Sequence, residues 1–442
     1  MRPSLQMQGP WCATLSSLLL AASLTIPAFA EGLPKVDRPE NVGLSSERLQ
    51  RLTHAFQADV DKGLIPGAVV LVARKGKVAY AKAFGFQDRE KQVPMKLDAI
   101  FRVASMTKPF TSVAAMMLVE EGRLQLLDPV SVYLPEFKGL QVGVEKINQG
   151  TGQPELTLEP ARREMTVQDL MRHTSGLTYG IFGKSLVKQA YNNANLFDPS
   201  QTSADLITKL AKLPLAAQPG TTWDYSMSTD VLGRIVEVVS GQRLDQFIAE
   251  RISKPLALTD TGFSVGGDKT ARIAEPQADP TTGKRPPMPD MTRQPNWMSG
   301  GGGMVSTAAD YAEFAQMLLN RGEWNGRHLL AAKTVTFMTS DHLPPGIAFS
   351  QVTLLGFHPQ ATAPTPEDGQ SFGLGFAVRT HAGRNPLPGS VSEFYWTGLY
   401  GTAFWVDPEE KLIVVLMMQL PPPQAPHYRS LLRNLIYQAL IE

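Results

Sequence analysis

The sequence carries a β-hairpin pattern at each of its two ends, and these two patterns limit the folds open to the chain. Residues 68–73 form a β-branched apolar run, which a short turn at 75–77 connects to a second run at 78–84. Near the other end, residues 402–406 and 412–417 flank a turn in the same way. Runs separated by such turns are typical of hairpins, and sequential hairpins favour antiparallel pairing.

Amphipathic helices are predicted beside both hairpins, because apolar residues recur at helical spacing over 45–62 and 428–440. Between the two ends the pattern changes to helices separated by Pro- and Gly-rich loops. We therefore expect an α/β fold whose central sheet is mainly antiparallel, is built from both chain ends and is flanked by helices. The α/β body is expected at about 41–104 and 341–442, and a mostly helical subdomain at about 105–340.

The balance of charge excludes one class of partner. The chain has 42 Lys and Arg residues against 41 Asp and Glu residues, so it lacks the excess of positive charge that nucleic-acid binding requires. Its hydrophobic fraction of 43% is enough for a large core and too high for a disordered chain. We expect a globular protein with no nucleic-acid partner.

The N-terminus has the pattern of a secretory signal peptide. An apolar run at 15–26 ends in an A-x-A cleavage pattern at 27–30, and the run is too short to span a membrane as an anchor would. We predict a signal peptide at 1–30 and an exported mature chain, periplasmic or secreted, at 31–442. Cleavage would remove Cys12, the only cysteine, and would thereby exclude disulfides, thiol catalysis and cysteine metal sites.

The tetrad Ser105-x-x-Lys108 is the first element with catalytic potential. It opens a strongly apolar helical pattern, and Pro109, which is tolerated only in a first turn, fixes the start of that helix near Ser105. A lysine three residues after a serine lies on the same helix face, and a neutral lysine can take the proton of a nucleophilic serine. The alternative is a helix N-cap followed by a solvated lysine.

Two other serines match catalytic patterns in poorer surroundings. Ser185-x-x-Lys188 repeats the tetrad without the preceding apolar segment or the first-turn proline. Residues 262–266 match the G-x-S-x-G elbow of α/β-hydrolases around Ser264, but that elbow needs a buried strand before it and a helix after it, and here a polar turn and a loop flank it. Both serines are expected to be inert.

Two further elements follow later in the chain. Tyr225 lies in a predicted loop before an apolar helix that Gly241 ends, and Trp396-Thr397-Gly398 stands at the start of the C-terminal hairpin. Taken singly, each has a structural explanation. Tyr225 would pack against a helix end, and Trp396-Thr397-Gly398 would form a bulged edge strand.

Together, in this order and at this wide spacing, the three elements resemble the three motifs of the serine β-lactamase and penicillin-binding protein superfamily. Residues 170–177 and 299–307 also look like its class C β-lactamase-like branch, within which the chain is closest to the family VIII carboxylesterases. The resemblance covers about residues 41–440. It implies the serine β-lactamase/penicillin-binding fold.

The resemblance also implies a role for each matched residue. Ser105 would be the acylated nucleophile, Lys108 its proton acceptor and Tyr225 a second acid/base, while the backbone N–H groups of Ser105 and Leu399 would form the oxyanion hole. The predicted substrate-binding residues are Trp396, Thr397 and Gly398 of the third motif. Aromatic residues that are candidates for the pocket lining, each with core packing as its alternative, are Tyr133, Tyr179, Trp223 and Trp297.

Two positions depart from the β-lactamase pattern and favour ester substrates. Met227 stands where β-lactamases have Asn, and Trp396 stands where they have Lys or His. We predict an exported serine hydrolase that acts through an acyl-enzyme on small neutral esters, with weak β-lactam or amide hydrolysis as a side activity. The alternatives are a β-lactamase or D-amino-acid-specific peptidase, and a catalytically silent penicillin-binding-like sensor. No metal or other cofactor is predicted, and the oligomeric state is left open.

Overall fold

A single eight-stranded sheet forms the centre of the computed structural model, which describes residues 32–350, 364–422 and 424–442. The predicted signal peptide at 1–30 lies outside these residues. Within the described part of the chain, no helix has the length and apolar character needed to cross a lipid bilayer.

The strands have the following bounds: β1 Gly67–Arg74, β2 Lys77–Asp88, β3 Val93–Pro94, β4 Phe101–Arg102, β5 Gln141–Ile147, β6 Pro154–Pro160, β7 Thr222–Trp223, β8 Val305–Ser306, β9 Glu323–Trp324, β10 Arg327–His328, β11 Ala348–Phe349, β12 Gln370–Phe372, β13 Ala377–Arg379, β14 Phe394–Thr397, β15 Ala403–Asp407 and β16 Leu412–Met418. The large sheet has the strand order β12-β13-β14-β15-β16-β1-β2-β3. Every neighbouring pair in it is antiparallel.

The helices have the following bounds: α1 Ser46–Asp61, α2 Lys108–Glu120, α3 Val167–Met171, α4 Leu186–Asn193, α5 Ser203–Leu210, α6 Ser228–Ser240, α7 Leu244–Ile248, α8 Ala308–Leu319, α9 Ala332–Met338 and α10 Ala425–Tyr437. A π-helical turn continues α7 at Ala249–Ser253. Short 3₁₀ helices lie at Pro39–Val42, Ala104–Thr107, Val130–Val132, Pro135–Phe137 and Gly267–Arg272.

The predicted hairpins from the two chain ends are adjacent in the sheet. β1 pairs with β16 along its length, with Leu71 opposite Val415. All residues of β1 and of β16 are buried, as expected for central strands covered on both faces. The expectation of an antiparallel sheet built from both ends is therefore confirmed.

Alternate side chains of these central strands enter two separate cores. Val70 and Val414 face a smaller core that α1 and α10 cover with Phe56 and Leu432. On the opposite face of the sheet, side chains such as Leu71 pack against α2 and α8 in the main core. The sheet thus lies between helices, and α2 runs beneath it.

The chain between β4 and β12 contains eight of the helices, but it also contains a hairpin that the sequence pattern did not predict. β5 and β6 pair over their full length, and most of their side chains are exposed or only partly buried. Charged residues in both strands hide the apolar alternation that would have indicated a hairpin. The proposed division into a body and a helical subdomain stays a prediction.

Candidate active site

Ser105 lies in the 3₁₀ turn that leads into α2. The preceding residue, Ala104, has φ of 46°, in the left-handed region that is costly for a residue with a Cβ. This bend leaves Ser105 partly exposed between Ala104 and Met106, which are buried. The turn therefore presents the Ser105 hydroxyl to solvent at the positive end of a buried helix.

Lys108 is the first residue of α2, and its side chain is only 1% exposed. Its Nζ lies 3.4 Å from Ser105 Oγ, 3.3 Å from Tyr179 Oη and 2.7 Å from the carbonyl oxygen of Gly301. A neutral amine that donates to the latter two oxygens keeps its lone pair free for the proton of the Ser105 hydroxyl. The structure therefore brings Ser105 and Lys108 together.

Tyr225 lies in the loop before α6, as predicted, and the face of its ring contacts the end of the Lys108 side chain. The Nζ of Lys108 is 4.5 Å from the centre of the Tyr225 ring. The Tyr225 hydroxyl accepts a hydrogen bond from Trp396 Nε1 at 3.4 Å, so the second and third sequence elements meet here. Tyr179, predicted only to line a pocket, has its hydroxyl 3.3 Å from Lys108 Nζ.

The Trp396-Thr397-Gly398 segment ends β14 and is fastened to the segment that precedes the serine. Thr402 Oγ1 donates to the carbonyl oxygen of Val103 at 3.2 Å. β14 pairs with β13 through Phe394 and Tyr395 and with β15 through Thr397 without a bulge, so these residues do not form a bulged edge strand. The contact sets the distance between the Ser105 turn and the loop that follows Gly398.

The two N–H groups predicted for the oxyanion hole are available. Among the described residues, the Leu399 N–H has no hydrogen-bond acceptor, and the Ser105 N–H lies in a first helical turn, where such groups lack intrahelical partners. The Leu399 side chain is 38% exposed. Both groups can therefore donate to a developing oxyanion.

Gly398 is the position in this loop where a side chain would be most disruptive. A Cβ there would lie 2.1 Å from Thr402 Oγ1 and 2.3 Å from the Val103 carbonyl oxygen. Gly398→Ala is therefore expected to displace the loop and to lower kcat/KM for an ester by about 100-fold, the cost of a misplacement of about 1 Å. Steady-state kinetics on a chromogenic ester measure the change.

Gly266→Ala is the matched control, because a Cβ at Gly266 would meet no atom within 4 Å. It is expected to retain normal activity. If Gly398→Ala also remained fully active, the close approach of this loop to Val103 would not matter for catalysis.

A buried carboxylate, Asp230, completes the surroundings of Lys108 and was missed by the sequence analysis. Its side chain, in the first turn of α6, accepts hydrogen bonds from Ser299 Oγ at 2.6 Å and from the Gly301 N–H at 3.1 Å. Burial raises the pKa of Asp230, and the charge of Lys108 opposes that rise. Burial, with Asp230 nearby, raises the pKa of Tyr179 well above 10, so this phenol stays protonated. It can accept from Lys108 while donating to Asp230.

His173 supports Tyr225 from the opposite side. The two rings are 4.9 Å apart in an edge-on arrangement, and His173 Nδ1 lies 3.2 Å from Ser226 Oγ. Burial and the charge of Lys108 lower the pKa of His173 well below 6.5, so its ring is neutral.

Arg429, on α10, brings a positive charge to the third motif and was also missed. Its Nη2 donates to the carbonyl oxygen of Gly398. Its Nε is buried without a hydrogen-bond partner among the described residues. Burial lowers the pKa of the guanidinium to about 10, so the group remains charged at neutral pH.

Of the other residues predicted to line the pocket, Trp297 and Trp223 belong to the aromatic cluster around Tyr179 and Tyr225, and Tyr133 does not. Trp297 lies 6.3 Å from the ring of Phe197, which is stacked 6.2 Å from Tyr179, and Phe197 is 56% exposed. Trp223 is fully buried beside Tyr225. The Tyr133 hydroxyl donates to Asp128 at 2.6 Å, and none of its described contacts joins it to this cluster. A role for Tyr133 in substrate binding stays a prediction.

The two alternative serines have ordinary structural contacts. Ser185 is the N-cap of α4, where its hydroxyl accepts from the Lys188 N–H, and the Lys188 ammonium pairs with Asp224 at 3.7 Å. The hydroxyl of Ser264 donates to Gln294 Oε1 at 2.6 Å. Neither contact resembles a serine activated by a base.

Comparison with known proteins agrees with this geometry. A family model described as Beta-lactamase matches residues 52–438. Lovastatin esterase of Penicillium rubens is 33% identical over 306 residues, which cover 67% of this chain and 73% of the relative. Esterase EstB of Burkholderia gladioli is 29% identical over 390 residues, which cover 83% and 89%.

Among solved structures, the chain is similar to "EstCE1, a hydrolase with promiscuous acyltransferase activity". The TM-score is 0.71 at 27% identity, and the match covers 88% of this chain and 99% of EstCE1. With the Ser-Lys-Tyr cluster, the antiparallel sheet and a family match over nearly all of the described chain, the protein is a serine hydrolase that belongs to the β-lactamase family.

Proposed function

We propose that this protein is an exported carboxylesterase that hydrolyses small neutral esters through an acyl-enzyme on Ser105. The observation that carries the proposal is the position of Lys108 Nζ, 3.4 Å from Ser105 Oγ, with acceptors for its hydrogens at Gly301 and Tyr179. A buried amine held in this way suits a general base.

In the proposed acylation step, Ser105 Oγ attacks the ester carbonyl carbon while its proton passes to Lys108 Nζ. The N–H groups of Ser105 and Leu399 stabilise the oxyanion. When the C–O bond to the alcohol breaks, the leaving oxygen takes a proton from the Lys108–Tyr225 pair, so that one proton leaves the serine and one reaches the alcohol. Water then attacks the carbonyl carbon of the acyl-enzyme and gives a proton to the same pair. The acid is released when the bond to Ser105 Oγ breaks and this oxygen regains a proton.

The surroundings of the serine favour an apolar substrate. Trp396 offers an indole where a lysine would offer an ammonium. Phe197 and Leu399 expose apolar surface, and Phe197 joins Trp297 to Tyr179. The names of EstB and lovastatin esterase, two relatives that align with most of this chain, support ester hydrolysis as the reaction.

Position 396 is expected to set the preference between esters and β-lactams. A charged contact to a substrate carboxylate contributes about 1 to 3 kcal/mol, which corresponds to a factor of about 5 to 150. We therefore expect kcat/KM for p-nitrophenyl butyrate to exceed that for nitrocefin by at least this factor, and we expect Trp396→Lys to narrow the gap. A native enzyme that is faster on nitrocefin would show that Trp396 does not determine substrate class.

The second candidate function is β-lactam or D-peptide hydrolysis, and Arg429 is the observation that favours it. The guanidinium lies at Gly398 and forms no ion pair with a described carboxylate. It could attract the carboxylate of an anionic substrate. Measuring both substrates on Arg429→Leu separates the two candidates, because only the nitrocefin rate should fall if Arg429 holds the anion.

A further inference from the structure

A pocket of about 550 Å³, separate from the candidate active site, lies at the end of the central sheet that is far from Ser105. The strand register gives its position. Thr397 pairs with Ala403 beside the candidate active site, whereas Phe394, which lines the pocket, pairs with Val406 at the other end of β14. The β1–β2 and β15–β16 turns border the same pocket.

The pocket has an apolar floor. Leu319 and Trp324 line it and are partly exposed, and they lie over Leu318, Val335 and Phe394, which are buried. The volume is in the range of natural small-molecule sites. The floor can therefore accept a hydrocarbon chain.

The rim of the pocket is basic. Lys75, Arg321 and Lys411 line it, and the described residues that line it include no Asp or Glu. All three cations have left-handed backbones, with φ of 53°, 56° and 50°. Glycine or asparagine is favoured in that region. At three such positions the chain instead carries a long cationic side chain, which indicates that the side chains themselves have a use.

Two of the three cations at the rim of the pocket are unpaired in the described part of the chain. Within the described residues, the side chains of Arg321 and Lys411 have no ion-pair partner. Lys75 has an exposed one, Glu442 at 3.6 Å.

We propose that this pocket binds a small amphiphilic carboxylate, such as a medium-chain fatty acid, outside the active site. The alkyl chain lies on the floor formed by Leu319 and Trp324. The carboxylate lies at the rim, where Arg321 and Lys411 donate charge-assisted hydrogen bonds. The proposal does not depend on the reaction at Ser105.

The test is isothermal titration calorimetry with sodium octanoate. The triple variant Lys75→Asn, Arg321→Asn and Lys411→Asn removes the charges and keeps a residue that tolerates a left-handed backbone, so it should fold. Its affinity for octanoate should be at least about ten-fold weaker than that of the native protein. Acetate, which lacks the chain, and octan-1-ol, which lacks the charge, should bind more weakly than octanoate to the native protein.

The matched control removes the same net charge elsewhere, by replacing the exposed lysines Lys96, Lys138 and Lys212 with asparagine. It should bind octanoate as the native protein does. Three results would overturn the proposal: no binding of octanoate to the native protein at millimolar concentration, equal affinity in the two triple variants, or acetate binding as tightly as octanoate. Equal affinity would place the octanoate at another site, such as the one at Ser105.

Discussion

Ser105→Ala is expected to lose ester turnover by a factor on the order of 10⁴ or more and to lose covalent labelling by a fluorophosphonate completely. The reason is that the variant retains the pocket, Lys108 and the two N–H groups but has no oxygen to acylate. Steady-state kinetics and intact-mass analysis after labelling measure the two effects.

Ser185→Ala and Ser264→Ala are the controls for this experiment. Ser185 caps α4, so its loss should cost about 1 kcal/mol of stability and leave the activity nearly normal. Ser264 only hydrogen-bonds to Gln294, and its replacement should change little. Labelling that persists in Ser105→Ala, or that disappears in Ser264→Ala, would move the nucleophile to the elbow-like segment at 262–266.

Lys108→Arg should be nearly inactive, with less than about 1% of the native rate. A guanidinium does not lose its proton in the range where enzymes work, so it cannot accept the proton of Ser105. The guanidinium places a permanent positive charge beside Ser105, which separates proton transfer from simple electrostatic stabilisation. Kinetics on p-nitrophenyl butyrate measure the rate, and thermal unfolding checks that the variant is folded.

Lys188→Arg provides a control at a lysine in the same sequence context. Lys188 is also buried and also follows a serine by three residues, but it pairs with Asp224 and not with a nucleophile. This variant should retain most of its activity. If Lys108→Arg kept more than a few per cent of the native rate, the lysine could not be the general base.

The parts of the fold that could be predicted from the sequence are those with a local pattern of apolar residues and turns. The hairpins at 68–84 and 402–417 have long apolar runs with clear turns, and the structure places them together at the centre of the sheet. The β5–β6 hairpin has no such signal, because its strands are largely exposed and carry Glu and Lys. Exposure, rather than any unusual backbone, explains the missed element.

The candidate site likewise contains residues that a local sequence pattern indicates and residues that only the fold brings together. Ser105, Lys108 and Tyr225 could be recognised because they stand in three ordered patterns, and the structure brings them together. Asp230 could not be recognised, since a single acidic residue in the first turn of a helix is a common helix-start feature and only the fold places it beside Gly301. Arg429 reaches Gly398 from the last helix, and no sequence spacing indicates such a contact.

The pairing of β1 with β16 has a consequence for how the enzyme is made. The two central strands come from opposite ends of the chain, so the sheet cannot close until nearly the whole polypeptide is available. The contact from Thr402 to Val103, which aligns the serine with the loop after Gly398, forms only when these late strands are in place. A chain that is released or cleaved before the last hairpin would keep Ser105 and Lys108 but would lack the pairing of β14 with β15 that positions Leu399, whose N–H we propose for the oxyanion hole. Hydrolytic activity would therefore report that synthesis and folding of the chain are complete.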